Sequence, residues 1–204
     1  VKATNTVYVG ANDGLLHAID AANGNELFAY LPSALFPKLD KLTQTNYAHD
    51  YYVDGGIAVS THFETPGKNI LVGALGRGGK ALYALDVTAP ASFSASKVLW
   101  EYTDSDLGLV LGEPVIAKLN NGKAAVIVGN GYNSTNYRGV LLIIDQETCS
   151  RINKIDTQAG NLTSSNGLSS PRGWDADGNG TLDYLYAGDL LGNLWKFDLT
   201  SGTP

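Results

Sequence analysis

Three observations predict that this 204-residue chain is all-β. Twenty-four glycines and eleven tyrosines, with no methionine, suit many short strands and tight turns. No long helical segment separates the strand-like runs. One phrase also recurs: a strand ending in glycine, a turn, and a strand ending in aspartate, at Gly10 and Asp20, Gly73 and Asp86, Gly129 and Asp145, and Gly188 and Asp198. The glycines lie roughly sixty residues apart, a period that holds about four short strands. Repeated four-stranded antiparallel units without long helices predict a modified β-propeller. A single blade cannot bury both of its faces, so neighbours must stack. Val9, Leu16, Val72, Leu82, Val128, Leu142, Leu194 and Trp195 are expected between them.

Taken in order, residues 6–30 read as three strands joined by turns at Asn12-Asp13-Gly14 and Asn23-Gly24, which tolerate positive φ. Residues 32–43 predict one or two short helical turns, capped by Ser33 and limited by Pro37. Residues 49–56 lead through a glycine turn into a strand at 57–60. The second copy has strands at 70–73, 81–86 and 98–102. The third runs from 112–119 through the Asn120-Asn121-Gly122 turn to 125–129, 140–145 and 151–155. The last has strands at 184–188 and 193–198. Strands near 7–10, 70–74, 125–129 and 184–187 are therefore expected at equivalent second positions of successive blades. The chain then opens in the second strand of one blade and stops after the third of another. Residues 1–204 are thus expected to form about three to four blades of one propeller domain, a fragment of a larger ring.

Composition removes several functions. A net charge of −6 with no visible basic surface argues against nucleic acid as a partner. No apolar run approaches the eighteen residues of a membrane span, and no signal peptide opens the chain, as would also hold for an excised fragment. Cys149 is the one cysteine, which excludes an internal disulfide framework. It is expected as a reduced, largely buried thiol in the turn after the third blade's inner strands. Residues 73–80 resemble a phosphate loop until counted. Ala74 stands where the pattern needs glycine and Ala81 where it needs Ser or Thr, so a glycine-rich hairpin is expected. His17, His49 and His62 do not cluster in sequence as zinc ligands do, and His49, Asp50 and Asp54 read as a polar bend at a blade edge.

The chemistry lies in residues 175–183. Oxygen-bearing side chains recur at every second position around a central glycine: Asp175, Asp177, Asn179 and, at the ninth position, Asp183. Gly180 stands at the sixth position, where a calcium loop turns sharply, and Thr181 at the seventh, where the backbone carbonyl is the ligand. A hard cation that takes six to eight oxygens is served by this alternation. Tyr186 occupies the twelfth position in place of the usual bidentate glutamate, and a strand follows instead of a helix. Asp183 is therefore expected to supply the closing carboxylate of a hairpin loop that joins the first and second strands of the last blade. The expected cofactor is Ca²⁺, against the plainer reading of a polar Asp/Asn/Gly turn.

The phrases VYVGANDGLLHAIDAANGNELFAYLPSALFP, HDYYVDG, ILVGALGRGGKALYALDVTAP, VLWEYTDSDLG, NNGKAAVIVGNGYNS and DADGNGTLDYLYAGDLLGNLWKFDL follow one another along nearly the whole chain. In that order they resemble the C-terminal propeller domain of the PilC/PilY family of type IV pilus tip proteins. The resemblance implies a modified β-propeller at the bacterial surface, pilus tip, outer membrane or periplasm. It also implies calcium binding that tunes pilus extension and retraction, twitching motility and adhesion. Pilus subunits (minor pilins) and host surface receptors are the implied partners, and the family's calcium loop falls on Asp175, Asp177, Asn179, Thr181 and Asp183.

Two other classes share the blade phrases. Residues 14–24 (G-x-L-x-A-I-D-A-x-x-G) also resemble blades of quinoprotein dehydrogenases, which bind pyrroloquinoline quinone. Those enzymes use a complete ring and, in several cases, a vicinal cysteine pair, whereas Cys149 is solitary. A passive outer-membrane assembly scaffold would share the blades but has no need of a calcium loop. A non-enzymatic pilus module is the expectation.

Overall fold

A computed structural model describes residues 5–201. Its strands form four antiparallel meanders. The first holds β1 (Thr6–Gly10), β2 (Leu16–Asp20) and β3 (Glu26–Tyr30). The second holds β4 (Ile57–Val59), β5 (Ile70–Ala74), β6 (Leu82–Asp86) and β7 (Val98–Tyr102). The third holds β8 (Val115–Lys118), β9 (Ala124–Gly129), β10 (Val140–Asp145) and β11 (Arg151–Asp156), and the fourth β12 (Arg172–Trp174), β13 (Tyr184–Gly188) and β14 (Leu194–Asp198). Strands β5, β9 and β13 occupy the second position of their sheets, and β1 pairs with β2 as they do with their successors. The expected second position therefore holds for β5, β9 and β13, and β1 stands at the edge of its three-stranded sheet with the same pairing to the strand that follows.

The recurring aspartate has a local cause. In each sheet it pairs across from the start of the preceding strand, as Thr6 with Asp20, Ile70 with Asp86, Ala125 with Asp145 and Tyr184 with Asp198. Its Oδ1 then accepts the backbone N–H two residues on, from Ala22 (2.8 Å), Thr88 (3.0 Å), Glu147 (3.1 Å) and Thr200 (3.0 Å). Each aspartate thus closes an Asx turn that ends one strand and aims the chain into the next connection. The recurring glycine answers to crowding in the first three copies, while at Gly188 the nearest atom to an added Cβ would lie 3.7 Å away. A Cβ on Gly10 would lie 2.4 Å from the Val53 carbonyl oxygen, and one on Gly129 2.1 Å from that of Ser169.

Three apolar cores lie between consecutive sheets. Leu16, Tyr30, Leu71, Tyr83 and Leu85 fill the first interface. Val72, Leu82, Trp100, Val128 and Leu142 fill the second, and Ile127, Leu141, Ile143, Leu185 and Phe197 the third. Because side chains alternate along a strand, Leu71 and Val72 serve opposite neighbours. The same alternation corrects two expectations. Val9 is 44% exposed and Leu194 76% exposed, because each points away from the one neighbouring sheet. Tyr8 and Trp195, one residue along, are the side chains that pack against the cores.

The connections are tight turns, 3-10 helices and longer irregular loops such as residues 103–114 and 157–171, and none of the described residues is α-helical. Ser33–Thr43 form an eleven-residue 3-10 helix with Pro37 inside it. Ser33 does not cap it. Pro32 takes the cap position, and the Ser33 hydroxyl donates to Glu101 Oε2 on β7 at 2.6 Å. Cys149 sits in the turn between β10 and β11 at positive φ (62°) and is partly rather than largely buried, which pushes its thiol pKa up. No helix among the described residues is long and apolar enough to cross a membrane. Residues 1–4 and 202–204, which the domain expectation includes, lie outside the described residues.

Candidate metal centre

The first-to-second-strand turn of the third blade needs only residues 119–123, whereas in the fourth blade residues 175–183 bridge the same two positions. That longer loop is held by its own acidic side chains. Asp175 accepts the N–H of Gly178 on Oδ1 (2.7 Å) and that of Gly180 on Oδ2 (2.7 Å). Asp177 accepts the Asn179 N–H (3.1 Å) and its Nδ2 (2.9 Å). Asn179 Oδ1 in turn accepts the Thr181 N–H at 2.7 Å and its hydroxyl at 2.5 Å. These successive Asx turns require Gly178 and Gly180 at φ of 78° and 89°. The Gly180 N–H, opposed by desolvation and aided by Gly178, holds the Asp175 carboxyl below its ordinary pKa.

The winding brings three of the five expected ligand residues to one point. One carboxylate oxygen each from Asp175, Asp177 and Asp183 lie within 4.8 Å of one another. Two oxygens bound to one calcium ion at its usual distances are at most about 5 Å apart, so the cluster fits a single cation of that size. Asp175 is partly buried, Asp177 exposed and Asp183 6% exposed, which gives the cluster an anchored floor and a solvent-facing rim. Asn179 and Thr181, the latter expected as a carbonyl ligand, lie on the same loop, and the Thr181 hydroxyl is shared between Asn179 and Asn120. The donor set is all oxygen, suited to a hard cation.

Three residues outside the loop also build the site, and none is marked by a local motif. Asn120, in the third blade's short turn, donates from Nδ2 to Asp183 Oδ1 (3.1 Å), the Leu182 carbonyl (3.2 Å) and the Leu199 carbonyl (3.2 Å). Its Oδ1 accepts the Thr181 hydroxyl at 2.7 Å. Phe63, from the connection between β4 and β5, lies against Gly180, where a Cβ would come within 2.4 Å of the ring. Lys118 Nζ stands 5.4 Å from the Phe63 ring centroid. A cavity of about 360 Å³ opens beside the loop, lined in part by Glu64, Lys118, Arg172 and Asp175.

The other stretches weighed in the sequence have structural partners. In residues 73–80, Gly78 is pressed against the Tyr52 carbonyl and Lys80 Nζ donates to the Asn133 carbonyl, so the glycines serve close packing. The histidines stay apart. His17 lies between Asp13 and Glu26, His49 against the Tyr51 ring, and His62 Nδ1 accepts the Gly67 N–H. Asp50 pairs with Lys38 and Lys41.

Comparison with known proteins places this architecture. The family described as the PilY1 beta-propeller domain matches residues 1–203. The chain is 50% identical over 203 residues to the type IV pilus biogenesis factor PilY1 of Pseudomonas aeruginosa, an alignment covering 96% of this chain and 17% of that protein. It is 43% identical over 215 residues to a PilY1 homolog of Xylella fastidiosa, covering 99% of this chain and 14% of that one. The fold is similar to the crystal structure of the Pseudomonas aeruginosa PilY1 C-terminal domain, with a TM-score of 0.79, 46% identity, and coverage of 95% and 38%. The chain therefore spans 17% of the length of its Pseudomonas relative.

Proposed function

The chain belongs to the PilY1 β-propeller family, and from that membership we propose that it is a calcium-binding propeller module of a type IV pilus biogenesis protein. Residues 1–204 act together as part of one propeller domain. The observation that carries the calcium reading is the convergence of Asp175, Asp177 and Asp183 within 4.8 Å, on a loop that packing alone does not require. The ligands in this reading are those three carboxylates, Asn179 and the Thr181 carbonyl. Bound there, Ca²⁺ supplies the positive charge that three close carboxylates otherwise lack.

Function follows from what that charge does to the loop. Without a cation the carboxylates repel one another, and the loop's own hydrogen bonds and its contacts with the third blade hold the winding. With one, the hairpin between β12 and β13 is fixed and its rim becomes a defined surface. In this reading the module sits at the cell surface or pilus, meets pilus subunits, and uses calcium to bias pilus extension against retraction, with twitching motility and adhesion to host surfaces downstream.

Relatives named as pilus biogenesis factors favour this over a quinone-dependent enzyme. The test replaces Asp175 and Asp183 with alanine in the native protein and scores surface pili and twitching at fixed calcium. Altered piliation with normal protein levels supports the reading, and wild-type pili and motility in both variants would overturn it.

A further inference from the structure

Of the three clustered carboxylates, Asp175 and Asp177 are oriented by the loop's own groups, whereas Asp183 is gripped from another blade. Asp183 Oδ2 accepts the Ala176 N–H at 2.8 Å, and Oδ1 accepts Asn120 Nδ2 at 3.1 Å. Asn120 lies in the turn between β8 and β9, so this contact crosses the boundary between the third and fourth sheets. It is not isolated. Leu119 and Leu182 form a parallel bridge, and the Leu182 N–H donates to the Lys118 carbonyl at 2.8 Å. The third blade's short turn therefore acts as the seat on which the end of the metal loop rests.

The orientation of the Asn120 amide is dictated by its surroundings. The Leu182 and Leu199 carbonyls and the Asp183 carboxylate can only accept, so the nitrogen must face them, and the oxygen must face the Thr181 hydroxyl. Two amide hydrogens shared among three acceptors leave none to spare. Each carboxylate oxygen has about two acceptor sites, so Asp183 can hold both its donors and still present oxygen to a cation. Alanine at position 120 would remove the donors that fix Asp183 and one of the two acceptors, Asn120 Oδ1 and Asn179 Oδ1, that share the single Thr181 hydroxyl hydrogen, without touching a ligand atom.

We propose that Asn120 is a positioning residue for the metal loop, fixing Asp183 from the neighbouring blade and so setting the loop's affinity for a divalent cation. This rests on the metal reading above. It adds that the fourth-blade site is built by two blades, and that cation binding is felt in the third.

The test uses Tb³⁺ as the probe on the full chain, with emission excited through Trp174, the residue before Asp175. Asn120→Ala is expected to weaken Tb³⁺ binding by about 10–100-fold, the usual cost of losing a partner that orients a ligand. At saturation, luminescence lifetimes in H₂O and D₂O should show about one extra coordinated water where Asp183 has swung away. A purely structural asparagine would lower the melting temperature of the metal-free protein and leave affinity and hydration unchanged. A second measurement needs no variant: in the wild-type chain, the Asn120 side-chain amide NMR signals should shift with the calcium titration midpoint. Unchanged affinity and hydration in the variant, or a silent Asn120 amide while the wild type binds, would overturn the positioning role and leave the metal reading standing. Failure of the wild type to bind Tb³⁺ would overturn both.

Discussion

Asn120 Nδ2 and Asp183 Oδ1 lie 3.1 Å apart across the boundary between two blades, 63 positions apart in sequence. With the Leu119–Leu182 bridge and the Leu182 N–H bond to the Lys118 carbonyl, this contact ties the acidic loop to a turn that has no ligand of its own. Local chemistry winds residues 175–183, but the propeller decides where the winding sits.

Gly180 separates two roles that glycine plays in the loop. Gly178 has φ of 78° with open space around its Cβ position, so Gly178→Ala should cost only the left-handed backbone preference, about 1 kcal/mol. Gly180→Ala adds a collision with Phe63 and should be clearly worse. Urea unfolding of both variants checks the order, and adding Phe63→Ala to Gly180→Ala should recover part of the difference. No recovery would mean that the Phe63 contact is immaterial.

Glu101 fastens the second blade to the first. It accepts the Tyr30 hydroxyl at 2.6 Å, the Ser33 N–H at 2.7 Å and the Ser33 hydroxyl at 2.6 Å. Glu101→Ala leaves the Tyr30 hydroxyl without its acceptor at a partly buried site, while the exposed Ser33 donors turn to water, and should cost about 1–3 kcal/mol. Equilibrium unfolding is the measurement, and a loss under about 0.5 kcal/mol, the range of a plain surface substitution, would contradict the assignment.

Blade phasing was legible because it is local. The glycine that ends one strand and the Asx turn at Asp20, Asp86, Asp145 or Asp198 that ends the next are written within each repeat. The choice of face was less legible. Val9 and Tyr8 differ by one residue, and which of them meets a core depends on which side of the sheet has a neighbour. The loop's ligand spacing was legible for the same local reason. Asn120 and Phe63 were not, since an asparagine in an Asn-Asn-Gly turn and a phenylalanine in a connection reveal their partners only when blades stack.

The corrected faces carry their own test. Leu142 is fully buried between the second and third sheets, and Leu142→Ala should cost about 2–5 kcal/mol. Leu194→Ala, at an exposed position, should stay within about 0.5 kcal/mol. Comparable losses at both sites would mean that Leu194 is covered.

His17 makes stability depend on pH. Its ring bonds Glu26 at 2.6 Å and Asp13 at 3.0 Å. The Glu26 bond raises its pKa, desolvation opposes this, and Asp13 raises it further. Because the folded pKa lies above the unfolded value of about 6.5, the contribution is complete below that value and is lost as pH rises through the folded pKa. The gap in melting temperature between wild type and His17→Gln should therefore be wider at pH 5.5 than at pH 8.5. Equal gaps would show that the pair does not titrate with folding.

Calcium-dependent thermal unfolding of the wild type beside Asp175→Ala and Asp183→Ala tests the central claim most directly. Three carboxylates with neutral oxygen ligands suit an affinity on the order of 10⁻⁶ to 10⁻⁴ M. At a hundredfold excess over the dissociation constant, the wild type should gain about 2.7 kcal/mol. Both variants should fold, since the three cores do not include the loop carboxylates, and their melting temperatures should ignore calcium. A calcium shift in both variants equal to that of the wild type would contradict the assignment and place the cation elsewhere.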